Sequence, residues 1–214
     1  MKFKTKTALV LLLTASLVIE LFTAVPALAS EKDTGYKAAY YSLIEELHNG
    51  NESSEEGYDR FKLIYVDKDS TPELLAVDTP SDTFDNNGTY RYAIYTYYEG
   101  KTVKLDEYAS GVASAGGYRG DTFYIRKSGK IYETYISAGS GDGDDIVYKL
   151  QDGEMVEIAH GYFNIASDDA EWNGKTMSGT KYSNKLNKVF NTTKAKSLES
   201  IKTISYKAMR KKLK

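Results

Sequence analysis

FKLIYVDKDSTPELLAV, from Phe61 to Val77, sets two short apolar runs on either side of a polar centre, a strand–turn–strand pattern from which the rest of the chain is read. Within the centre, Asp67, Asp69, Thr71 and Glu73 recur at every second position. Calcium takes several oxygen ligands at about 2.3–2.6 Å, and carboxylates interleaved with turn carbonyls supply them. These four residues are therefore the candidate metal ligands. Pro72 lacks an amide hydrogen and has a fixed φ, which suits the first residue of the outgoing strand. A turn closed by aspartate side chains on its own amides accounts for the same residues without a cation.

Tyr65, Asp67, Asp69, Pro72, Glu73 and Leu74 match the pattern Tyr–Ile–Asp–x–Asp–x–x–Pro–Glu–Leu, and in them the chain resembles small secreted proteins of Gram-positive gut anaerobes. The same run is similar to the Asp–x–Asp–Gly–x–x–Asp–Leu loops of calcium-binding propeller repeats. WNGKTMSGTKYSNKLNKVF (172–190) resembles an Asn–Gly–Lys–x–x–Ser–x–x–x–Tyr segment near the end of many such secreted proteins. The resemblance carries over no catalytic residue.

The first residues point to export. Lys2, Lys4 and Lys6 precede the apolar run Ala8–Ile19, and Ala27-Leu28-Ala29 supplies a small-x-small cleavage site, the order of a secretory signal. Cleavage after Ala29 predicts a single α+β domain over 30–214. Glu20 interrupts the apolar run, so no stable membrane span is expected after cleavage. The 214 residues include no cysteine, which rules out a disulfide, a lipidated cysteine and a cysteine nucleophile. The formal charge is −2; three lysines and one glutamate leave with 1–29, so the mature chain carries −4 and gives no basis for nucleic-acid binding.

Nineteen tyrosines, against seven phenylalanines and one tryptophan, favour half-buried sheet faces. In TYRYAIYTYY (89–98), Tyr92 and Ile94 share one face of a strand while Ala93, Tyr95 and Tyr97 share the other. Glu99–Gly100, Ser128–Gly129 and Asp152–Gly153 each punctuate two strand-like runs and predict a meander of antiparallel hairpins, with a partly closed barrel as the alternative. The stripe Tyr36, Ala39, Tyr40, Leu43, Ile44 and Leu47 predicts an N-terminal helix capped at Asp33 or Thr34 and stopped at Asn49–Gly50. Ser178 and Ser205 are expected to start two short C-terminal helices packed on the sheet. SAGSGDGDDI (137–146) reads as an acidic loop whose Asp142, Asp144 and Asp145 offer further calcium ligands.

Trp172, Tyr95 and Tyr97 are the candidate ligand-stacking residues, suited to a glycan, cell-wall polymer or peptide. Two histidines, His48 and His160, exclude a three-histidine zinc site, and no Gly-x-Ser-x-Gly or His-Glu-x-x-His motif occurs. The alternative is a secreted hydrolase using His160 or a pair drawn from Glu73, Asp144 and Glu157. The expectation is a secreted or loosely wall-associated, non-catalytic module.

Overall fold

The computed structural model describes residues 28–50, 57–78, 90–112 and 118–214. The segment expected to direct export, 1–29, lies outside them save for its last two positions, and so do Asp82, Asp85 and the turns expected at Asn87–Gly88 and Gly116–Gly117. Helix α1 (Leu28–Asn49) is followed by β1 (Arg60–Ile64), β2 (Glu73–Asp78), β3 (Tyr90–Tyr98), β4 (Lys101–Val112), β5 (Tyr118–Ile125) and β6 (Lys130–Ser137). Then come β7 (Asp142–Gln151), β8 (Glu154–Asn164), β9 (Asp169–Trp172), β10 (Lys175–Ser178), α2 (Gly179–Val189), β11 (Lys196–Ser197), β12 (Ile204–Ser205) and α3 (Tyr206–Leu213). The fold is α+β and sheet-dominated, with every strand pair antiparallel.

β1 to β10 pair in chain order, the meander that the turn dipeptides predict. Glu99–Gly100, Asp152–Gly153 and Asn173–Gly174 all have positive φ at both residues, so the turn twist matches the twist of the strands they join. Two late strands break the order: β11 returns to β5, and β12 returns to the outer edge of β1.

One strand divides this sheet into two halves. β4 pairs with β3 from Lys101 to Ser110, but with β5 only through Gly111 and Val112. Where β4 leaves β5, β11 takes its place, setting Lys196 opposite Tyr124 and Ser197 opposite Phe123. The halves fold onto each other. Ile64, Leu75, Val77, Tyr92, Ile94 and Tyr108 from β1–β4 share one buried cluster with Tyr124, Ile131, Leu150 and Leu198.

The outer face of β1–β3 is covered by α1 and α3, which bury Tyr40, Ile44, Phe61, Leu74, Tyr95, Met209 and Leu213 together. The two faces read from TYRYAIYTYY are thus both core: Tyr92 and Ile94 face the space between the halves, and Ala93 and Tyr95 face the helices. On the other half, α2 lays Tyr182, Leu186 and Phe190 over Tyr132, Val147, Ala159, Ala170 and Trp172. Each large apolar side chain so covered contributes about 1.5–3 kcal/mol.

Three local expectations change. α1 runs through Asp33 and Thr34 instead of starting there, though it ends at Asn49 as expected, with Gly50 at φ 68°. The Ser178 hydroxyl makes no cap bond; the Gly179 amide at the start of α2 donates instead to Asp168 Oδ1 at 3.1 Å. SAGSGDGDDI is not a loop beyond its first residues, because Asp142 to Gln151 form β7. Its Gly143 makes room for a ring: a Cβ there would stand 2.3 Å from Phe163 Cζ.

Candidate functional site

The β1–β2 turn carries the predicted acidic residues and draws three of them together. Each of Asp67, Asp69 and Glu73 offers an oxygen within 4.8 Å of the others, a spacing that can hold a metal ion. Two of the acids also organise the turn. Asp69 N donates to Asp67 Oδ1 at 3.0 Å, and Thr71 N donates to Asp69 Oδ1 at 2.8 Å, two successive aspartate-closed turns. Thr71 is buried, and its amide serves Asp69 in this way. Pro72 directly precedes β2, as its missing amide predicts.

Glu73 is the unusual member. It lies in β2, fully buried, and Oε2 accepts the Val66 amide at 2.7 Å, which closes the turn from its far side. Burial raises its pKa to about 8; the Val66 hydrogen bond opposes the rise, and Asp67 and Asp69 add to it. The turn is also a structural junction. Tyr40 Oη of α1 donates to the Pro72 carbonyl at 2.9 Å and approaches that of Tyr95 at 3.3 Å. From the other half of the sheet, the β5–β6 turn donates Lys127 N to Tyr65 O at 2.9 Å and Gly129 N to Val66 O at 2.8 Å. A cation held by the three acids would therefore sit where α1 and both halves of the sheet meet.

A second set of functional groups lies on β6–β8, on the face opposite α2. The register places Tyr135, Asp144 and Tyr162 side by side across three strands, with Glu133, Ile146 and His160 in the next row. The near end of this face is covered by the other half of the sheet, while Tyr135 and Tyr162 remain 41% and 44% exposed. Ile158, at a bulge in β8, and Ile165, just past its end, are also exposed.

His160 Nε2 lies 3.0 Å from Asp144 Oδ1, and its Nδ1 lies 4.0 Å from Glu157 Oε1. Asp142 accepts from the Tyr162 hydroxyl and, at 2.8 Å, from Asn164 Nδ2; hydrogen bonding, that of Tyr162 foremost, holds its carboxyl down at about 2. The structure thus joins His160 to two of the acids singled out in the sequence, Asp144 and Glu157. It separates them from Glu73, which belongs to the other half of the sheet.

The candidate stacking residues lie elsewhere. Trp172 is buried edge-on against Tyr182, with ring centres 5.5 Å apart, beneath α2. Tyr95 is buried under the helices, and Tyr97 packs against the same cluster. The faces of Trp172 and Tyr95 are taken up by the core, because α2 and α1 dock on those sides of the strands. Exposed aromatic surface falls instead to Tyr135 and Tyr162, which no motif in the sequence marks. The alternation in β6 and β8 was the available signal, but choosing the exposed parity needs the docking side of α2.

Asp145, grouped with Asp142 and Asp144 as an acidic loop, faces the opposite way. It is buried under α2 and accepts hydrogen bonds from Tyr132 and Tyr182, each at 2.6 Å. Among the described residues, no helix is long and apolar enough to cross a membrane. Comparison with protein-family models, curated proteins and solved structures returns no match.

Proposed function

We propose that the protein is an exported, non-catalytic binding module that recognises a glycan, cell-wall polymer or peptide on the open β6–β8 face and holds calcium as a brace at Asp67, Asp69 and Glu73. The observation that carries the reading is the row Tyr135–Asp144–Tyr162, two exposed aromatic rings flanking a carboxylate on an uncovered sheet face. Exposed apolar surface rimmed by polar groups marks recognition sites. Tyrosine suits such a site because it joins a flat apolar ring to a polar end. Asp142, Asn164 and His160 supply hydrogen-bonding groups next to the rings.

The test is a binding screen of the purified protein against polysaccharides, wall fragments and peptides, with Tyr135→Ala and Tyr162→Ala as the variants. At least one ligand should lose about tenfold in affinity in each variant, as expected for about 1.4 kcal/mol of ring contact. Undiminished binding by both variants would place the ligand away from this face and remove the reading.

One observation favours a second reading. His160 between Asp144 and Glu157 is an acid–base arrangement that suits a secreted hydrolase. Turnover of a glycan or peptide substrate that is lost in both His160→Ala and Glu157→Gln would select it over the binding module.

A further inference from the structure

The exchange of β4 for β11 beside β5 leaves an opening at the edge of the molecule. β12 pairs with the outer edge of β1 only at Arg60 and Phe61, so among the described residues Lys62 to Ile64 have no strand partner on that edge. The segment between β11 and β12 spans from one half of the sheet to the other and is tied down at its start by Leu198 N donating to Thr122 O at 2.8 Å. Beneath it lies a cavity of about 390 Å³. Its apolar part is formed by Ile64, Tyr124 and Ile201.

Four cations line this cavity, Lys62 from β1, Arg126 from the β5–β6 turn, Lys196 from β11 and Lys202 from the spanning segment. No carboxylate is among the lining residues, which also include Tyr65, Tyr124 and Ser200. The nearby acids Asp59 and Glu199 line a separate groove on the other side of Ile201. Among the described residues, no ion pair joins any of the four cations to a carboxylate. This concentration runs against the chain's net charge of −2. Arg126 is also held in place: its guanidinium sits 5.5 Å over the Tyr65 ring, with Lys127 at 5.6 Å over the same ring.

We propose that this cavity is an anion site that takes a phosphate group, free or as part of a polyol or sugar phosphate. Four like charges around one cavity repel each other in the empty site, and a bound dianion turns that repulsion into attraction. A guanidinium fixed by stacking presents paired N–H donors that fit two phosphate oxygens, while lysines act as mobile point charges. The volume admits a phosphate with one small sugar or glycerol unit attached, within the usual range for small-ligand pockets. The site is separate from the β6–β8 face and stands whether or not that face binds a ligand.

The experiment is isothermal titration of the full chain with inorganic phosphate and, separately, with a short poly(glycerol phosphate), both at fixed ionic strength. Lys62→Gln with Arg126→Gln is the principal variant, and Lys202→Gln, on an exposed position, is the second in case the first does not fold. Lys207→Gln with Lys212→Gln, on α3, is the charge-matched control. Saturable binding is expected, weakened at least tenfold in the double variant and several-fold in Lys202→Gln, with the α3 control unchanged. Tighter binding of the polymer assigns the site to a phosphodiester chain, and equal or tighter binding of inorganic phosphate assigns it to small phosphates. Absence of saturable binding with either probe overturns the proposal, as does an equal loss in the α3 control.

Discussion

Tyr182 rests its hydroxyl over the backbone of Gly161, so closely that a Cβ on residue 161 would lie 2.3 Å from Tyr182 Oη. That hydroxyl donates to one carboxylate oxygen of buried Asp145, and the Tyr132 hydroxyl donates to the other. Gly161→Ala should push Tyr182 away and leave half of a buried carboxylate unsatisfied. A loss of about 2–4 kcal/mol in urea unfolding is expected, from overpacking and the lost bond together. Tyr182→Phe removes the bond without the clash and should cost less, about 1.5–3 kcal/mol.

Glu73 makes stability depend on pH. Its folded pKa, raised to about 8 chiefly by burial, lies above the ordinary 4.5, so the folded protein holds a proton that the unfolded chain gives up. The stabilisation is fully present below pH 4.5 and is lost as pH rises through 8. In the presence of a chelator, unfolding free energy should fall between about pH 5 and about pH 8.5. Glu73→Gln should flatten that part of the curve, and an unchanged slope in the variant would assign the dependence to other groups.

Calcium should act on the same turn in the opposite sense, since a cation favours ionised Asp67, Asp69 and Glu73. With an affinity of roughly 0.1 mM and 1 mM free calcium, the gain would be about 1.4 kcal/mol. That corresponds to a rise of about 3–6 °C in Tm for a domain of this size. Asp67→Asn with Asp69→Asn should abolish the shift. An equal shift in wild type and variant would place the ion elsewhere.

Export carries its own test. Edman sequencing of the protein from its native host should begin at Ser30. A Met1 terminus on cytosolic protein would reject both the cleavage and the extracellular reading.

What the sequence made legible is local in origin. Period-two alternation in TYRYAIYTYY marked both faces of β3, and positive-φ dipeptides such as Glu99–Gly100 marked the hairpins. Three-and-four spacing marked the buried stripe of α1, where Tyr36, Tyr40 and Ile44 are all core. The acidic turn was legible because its three carboxylates lie at most six residues apart. Long-range choices were not. Whether Trp172 or Tyr162 meets solvent depends on the side of β8–β9 that receives α2, which no short window records. The cationic cavity draws Lys62, Arg126 and the pair Lys196 and Lys202 from three distant stretches, and each alone reads as an ordinary surface charge. Strands of two residues, β11 and β12, carry too little periodicity to be recognised.

Those two strands also bear on how the chain comes to fold. β12 pairs with β1 and β11 with β5, so late-made residues complete edges of strands made earlier in the chain. Pairings between residues far apart in sequence are slow to form, because loop closure precedes the contacts that reward it. A nascent chain can assemble successive hairpins, but β11 and β12 take their places only once the C-terminal residues have been made. Were the chain exported as proposed, that delay would leave these last pairings to form on the far side of the membrane.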